Sequence, residues 1–192
     1  MQLCDWEISQ LCDSSNVADG SRWRPMLDPF VMEKSRMGSL SYGLGHFGYD
    51  IRLGDALVIP ERVMRPIDPA TETDLSTLPY TNFDLETRAA VLEPGQMVMG
   101  GTLEYFCIPA NIVAVVHDKS TLARLGLAVQ NTVLEPGWNG FLTMEITNHG
   151  VNDIVLSSGM PIAQVIFYQG EFPDSVYEGK YQNQRKGEVA RS

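Results

Sequence analysis

The chain lacks the features that mark several large functional classes. Its three cysteines, Cys4, Cys12 and Cys107, form no CxxC pair, and an odd, widely spaced set builds no disulfide framework. They read as ordinary buried thiols. No apolar run approaches the roughly eighteen residues that a membrane-spanning helix needs. The amino-terminal string MQLCDWEISQLC is acidic early and lacks a basic region followed by an apolar stretch. The expectation is a soluble, cytoplasmic protein without a membrane partner. Basic residues are scarce as well: 14 Lys and Arg stand against 24 Asp and Glu, for a net charge of −10. A broad nucleic-acid surface is excluded on that balance, because phosphate contacts need clustered cations. A small anionic ligand is still allowed where the few basic residues converge.

What is present is enough for one core. A chain of 192 residues, 44% of them hydrophobic, falls within the range of a single domain, expected here over 1–192. Residues 5–13 fit a short helix, with Asp5 as N-cap and Ile8, Leu11 and Cys12 on one face. The stretch 14–48 is rich in Gly, Ser, Pro and Met without periodicity and reads mostly as loop. From Tyr49 onward, short apolar runs such as YDIRL, NIVAVVH, GFLTMEITN and PIAQVIFYQ alternate with turn residues. This pattern predicts a mainly β protein, a barrel or double-sheet jelly roll, with a few short helices. The segment Arg65–Arg88 reads as a surface excursion, and the polar end from about residue 179 as a mobile tail.

Three segments could carry chemistry. In Asp118-Lys119-Ser120-Thr121-Leu122-Ala123-Arg124, a helix opening at Lys119 to Thr121 would offer free N–H groups and hydroxyls to an anion, with Ser120 and Arg124 on one face. A capped surface turn has the same spacing. In Gly140–Asn148, a strand would put Thr143, Glu145 and Thr147 on one face and Leu142, Met144 and Ile146 on the other. Any half-exposed strand does this; Glu145 becomes informative only if that face is covered, since a covered carboxylate must find partners or shift its pKa. In Gly179–Arg185, an extended chain would align Lys180, Gln182 and Gln184 along a phosphate chain. A solvated terminus is the alternative.

Six strings occur in order from Ser41 to Gln184: SYGLGHFGYDIRLG, GGTLEYFCIP, DKSTLARLGL, LEPGWNGFLTMEITN, IAQVIFYQ and GKYQNQ. Together they resemble the dCTP deaminase family, which shares the distorted β-barrel of dUTPases. The resemblance implies hydrolysis of dCTP to dUTP and ammonia by a homotrimer with active sites between subunits. It implies roles for Lys119, Ser120, Thr121 and Arg124, with Leu122 and Ala123 between them, in holding the triphosphate and framing the site. Glu145 matches the catalytic carboxylate, assisted by Ser120 and Arg124, and Thr143 and Met144 match pocket-lining positions. Gln164 matches a nucleotide-binding glutamine, while Tyr177, Lys180 and Gln184 match groups that close over the phosphates. Glu135 stands where many members have an aspartate near the sugar.

The zinc deaminases hold their metal with HxE and PCxxC patterns. Here His46, His117 and His149 have no Glu two residues later, and no cysteines pair. The implied route therefore uses a positioned carboxylate, with Mg²⁺ arriving on the triphosphate and no zinc. The partners implied are dCTP and dUTP, with dTTP a candidate inhibitor. A dUTPase, or a bifunctional enzyme releasing dUMP, is the nearest rival, and a nucleotide-binding regulator without turnover is another. Deamination is expected to require Mg²⁺ and to survive a zinc-selective chelator; loss of ammonia release restored only by added zinc would overturn this.

Overall fold

The computed structural model describes residues 1–13, 24–70 and 77–186. Its elements are α1 (Asp5–Cys12), β1 (Leu27–Asp28), β2 (Ser35–Met37), β3 (Leu40–Leu44), β4 (Tyr49–Pro60), β5 (Tyr80–Asp84), β6 (Ala90–Leu92), β7 (Met97–Cys107), β8 (Ile112–Asp118), α2 (Ser120–Ala123), β9 (Leu127–Gln130), β10 (Asn139–Asn148), β11 (Ile154–Leu156) and β12 (Pro161–Gln169). The architecture is mainly β: a ten-stranded sheet curled into a half-barrel, plus the two-stranded β6–β11 ribbon.

The spine is β4, whose sequence YDIRLGDALVIP is buried over most of its length. Its first half pairs with β3 and β12, and its second half with β5 and β7. Apolar residues without strict alternation suit a strand covered on both faces. The strand β10 behaves differently. Its burial alternates residue by residue, with Leu142, Met144 and Ile146 in the core and Thr143, Glu145 and Thr147 on the other face, as period-two patterning requires.

Where β4, β7 and β10 meet, the ladder is irregular. Three residues of β7, Thr102 to Glu104, lie opposite Leu142 alone, and the β4–β7 register shifts between Leu53 and Leu57. Glu104 fills this break. Its fully buried carboxylate accepts the backbone N–H of Arg52 at 2.9 Å and the Arg52 Nε–H at 2.8 Å. Burial pushes the Glu104 carboxyl above the usual carboxylate range, against the lowering effect of Arg52. The Arg52 guanidinium also lies 4.9 Å from the Tyr42 ring centre.

Several expectations need correction. The helix starts one residue earlier than Asp5 capping requires: Cys4 is the N-cap, its N–H bonded to Glu7 Oε2 at 2.9 Å. Within 14–48, residues 14–23 lie outside the described residues, and the rest, largely loop as expected, also holds the short strands β1, β2 and β3. Those strands are too short for periodicity to show; β1 pairs with distant β7, β3 with β4, and β2 with β3. The Arg65–Arg88 excursion contains β5, bonded along the second half of β4, while its residues 71–76 lie outside the description. Of the cysteines only Cys12 is buried, its thiol pushed up to about 12 by desolvation; Cys4 and Cys107 are half-buried.

Replacing Arg52 with Met leaves Glu104 buried without its partner, a loss of about 3–5 kcal/mol. Denaturant midpoints are expected to show it, increasingly as pH rises through the Glu104 titration, since the raised carboxyl favours the folded state only while protonated. The double variant Arg52→Met/Glu104→Leu should recover most of the loss; equal instability of both variants would refute the account.

Candidate functional site

The polar face of β10 is covered. Thr143 and Glu145 line a cavity of about 320 Å³ whose apolar side is built by Met99, Leu134, Trp138 and Leu142. Glu145 lies opposite Met99 of β7 and Gln130 of β9. Burial raises the Glu145 carboxyl above its ordinary range, opposed by a backbone hydrogen bond. The residue thus meets the condition that separates a working carboxylate from a solvated strand residue. Glu135 is exposed and contributes to the same cavity.

The polar end of the chain forms the cavity's outer wall. Instead of running extended, residues 180–183 turn, with Asn183 at φ 58°. The amide of Gln184 donates to Thr143 Oγ1 at 2.8 Å, and the backbone of Gln184 accepts the Phe141 N–H at 3.0 Å. Gly140 permits this approach: it has φ 150°, and a Cβ there would stand 2.7 Å from the Gln184 nitrogen. Trp138 Nε1–H donates to the Tyr181 carbonyl at 2.8 Å, and the Tyr177 N–H donates to Pro136 O at 2.8 Å. The segment through Lys186 is therefore docked, which corrects the mobile tail expected from residue 179; residues 187–192 lie outside the description. Lys180 is exposed and stacks on the Tyr181 ring at 5.1 Å, so Lys180, Gln182 and Gln184 do not share one extended edge.

The other predicted group sits elsewhere. Ser120 to Ala123 form a single helical turn with Lys119 as N-cap. Ser120, Thr121, Ala123 and Arg124 are exposed. Residues Thr121 to Arg124 line a second cavity, about 630 Å³, with Gly150 to Val155 and Met160. None of Lys119 to Arg124 lines the Glu145 cavity. Within one protomer, Arg124 and Glu145 are thus not brought together. Lys119 is a correction of another kind: its ammonium is paired with Asp50 at 2.8 Å, both side chains nearly buried, and Ser41 Oγ–H donates to the same Asp50 oxygen. In this protomer it anchors the turn instead of offering a free cation. Gln164 stands opposite both Asp50 and His117 in the sheet, beside this anchor and away from Glu145.

Two further expectations change. The Met144 side chain is fully buried on the core face of β10, and Leu122 packs into the core as well. Met144 could meet a ligand only through its backbone, while Leu122 also borders the second cavity. Among the described residues, no group of three or more His, Cys, Asp or Glu side chains is placed to hold a metal ion. No helix among them is long and apolar enough to cross a membrane.

A family model described as dCTP deaminase-like matches residues 33–170. The chain belongs to this family. Among its relatives, a dCTP deaminase of Herpetosiphon aurantiacus is 39% identical over 163 residues, 83% of this chain and 86% of that one. A dCTP deaminase of Roseiflexus castenholzii is 36% identical over the same shares. The crystal structure of 2′-deoxycytidine 5′-triphosphate deaminase from Agrobacterium tumefaciens matches with TM-score 0.61 at 22% identity, over 88% of this chain. The chain spans about half, 48%, of that protein, and the likeness speaks for the fold.

Sequence reasoning did not single out Asn131, Trp138 or Tyr181 as cavity residues. Trp138 lay in a quoted string, but nothing in its spacing places an indole over a cavity; Asn131 carries no motif at all. A stability measurement tests the burial of Glu145. Its raised pKa means that the fold prefers the protonated form, so this preference is fully present below the ordinary carboxyl pKa and lost as pH rises through the folded value. Glu145→Gln is therefore expected to melt higher than the unaltered protein at neutral pH and equally below about pH 4. A lower Tm for the variant at neutral pH would show that the carboxylate is not under desolvation strain.

Proposed function

We propose that the chain hydrolyses dCTP to dUTP and ammonia, with Glu145 moving the protons and each active site completed between subunits of a homotrimer. The observation that carries this reading is the half-buried carboxylate with a raised pKa in a cavity of nucleoside size. A base pushed toward neutral pH is better matched to abstracting a proton from water at working pH. Water gives a proton to Glu145 and adds to C4 of the cytosine. The same carboxyl passes that proton to N3 and then relays the hydroxyl proton of the tetrahedral adduct to the amine; the C4–N bond breaks, ammonia leaves, and C4 becomes a carbonyl.

Ser120 and Arg124 are exposed on a surface apart from Glu145. A neighbouring copy presenting them to the Glu145 cavity would supply the hydroxyl that orients the water or amino group and the charge that steadies the carboxylate. Thr121 and backbone groups of Leu122 and Ala123 would meet the triphosphate, with Lys180 joining from the carboxy-terminal segment. Glu135, Thr143, Tyr177 and Gln184 would enclose the nucleoside, and Gln164 would act through the Asp50–Lys119 anchor. Several phosphate charges on a protein of net charge −10 need compensation, which Mg²⁺ on the triphosphate would provide. The reading includes a single domain, supported by one contiguous core, a cytoplasmic location, and dTTP as a candidate inhibitor.

Glu145→Gln is expected to cut ammonia release by roughly 10² or more, while dCTP binding stays within about tenfold. Near-normal turnover would end the proposed mechanism. Complementation tests the shared site. Refolding Glu145→Gln together with Arg124→Ala should regenerate sites in which each partner supplies the group the other lacks, giving about a quarter of full activity for random mixing. Failure of the mixture to exceed its components would place both groups in one protomer or remove Arg124 from the site. Product analysis separating dUTP from dUMP decides between deamination alone and a bifunctional reaction.

A further inference from the structure

One polar side chain in the Glu145 cavity is left without any protein partner. The amide nitrogen and oxygen of Asn131 are both shielded from solvent, and neither makes a hydrogen bond. Asn131 lines the same cavity as Glu145, Thr143 and Trp138. It is the first residue past β9, following Gln130, the cross-strand partner of Glu145, and here the chain leaves the sheet to pair Leu134 with Ala114. A shielded amide with no partner destabilises the fold relative to an apolar residue of the same shape. Such a group in a folded protein calls for an explanation, and in a cavity that Glu145 also lines the explanation is a ligand.

We propose that Asn131 is the residue that binds the pyrimidine C2 carbonyl, a role that rests on the deaminase reading of this cavity. The assignment follows from what each group can offer. Glu145 must address C4, N3 and the amino group, where protons move. A neutral amide suits the carbonyl on the other side of the ring: Nδ2–H donates to O2, and Oδ1 accepts from solvent admitted with the ligand. A turn of the side chain is required, a common adjustment at binding surfaces. The contact also serves the reaction. Addition of water at C4 pushes electron density through N3 onto O2, so a donor there is worth more in the transition state than in the ground state. Because O2 is common to cytosine and uracil, Asn131 grips substrate and product alike, and discrimination is left to Glu145.

The test compares Asn131→Leu, similar in volume and apolar, with Asn131→Asp, which keeps the shape but loses the donor. Affinities for dCTP, dUTP and tripolyphosphate are measured on the full chain with Mg²⁺. Both variants are expected to bind dCTP and dUTP at least about tenfold more weakly, to keep tripolyphosphate affinity, and, for Leu, to melt no lower than the unaltered protein. Unchanged nucleotide affinity in either folded variant overturns the proposal. So does an equal loss for nucleotide and tripolyphosphate, which would mark general damage. Should Asn131→Leu fail to fold, Asn131→Asp decides alone. Ammonia release by the unaltered protein is scored separately: its absence would sink the deaminase reading, while the affinity comparison would still judge Asn131.

Discussion

The fold depends on how a buried carboxylate closes the gap between three strands. At the point where β4 passes from its β12 pairing to its β7 pairing, ladder bonding is interrupted, and the Arg52 N–H is taken by Glu104. The same carboxylate holds the Arg52 side chain, so one group satisfies backbone and guanidinium together. Next to it, Thr102 donates to the Glu104 carbonyl at 2.7 Å and accepts the Leu142 N–H at 3.0 Å. That relay fixes the irregular register of β10 against β7, and the register decides which β10 residues face the cavity. The position of Glu145 is thus set by the Arg52–Glu104 pair, neither member of which lines the Glu145 cavity.

A second charge pair on the same spine holds the turn that the proposed function assigns to the other half of the site. Asp50, two residues before Arg52, binds Lys119 at the start of the α2 turn, and Asp118 accepts the Val129 N–H at 2.8 Å. The turn that displays Ser120 and Arg124 is clamped on both sides, and its end is tight. Gly126 has φ 92°, and a Cβ there would fall 2.3 Å from the Gly150 backbone nitrogen. In the proposed shared site, rigid presentation would suit Ser120 and Arg124, because positional error at a catalytic group is costly. The two halves are separate in the protomer, yet both are referenced to β4.

The cavity combines features that stability alone would not select. A carboxylate is desolvated at Glu145, an amide is unpaired at Asn131, and the carboxy-terminal segment is fastened over both by Trp138, Thr143 and the backbone of β10. Local departures from satisfied packing are expected where chemistry is done and are offset by the surrounding core. Here the offset comes from the continuous apolar cluster under β10, including Met144, Ile146 and Phe106.

Much of this was legible in the sequence. Period-two alternation in GFLTMEITN assigned opposite faces to Glu145 and Met144, since strand geometry alone fixes that relation. Six strings in order pointed to the family, and turn-separated apolar runs pointed to a mainly β fold. What only tertiary structure decided was partnership. Whether the polar face of β10 is covered depends on a segment some forty residues downstream. That Lys119 is bound to Asp50 depends on pairing across 69 positions. The short strands β1 and β3 are completed by hydrogen bonds from β7 and β4, and β2 is added on β3. Local patterning sets which side of an element a residue faces; which atoms await it there is set by long-range contacts that no local window contains.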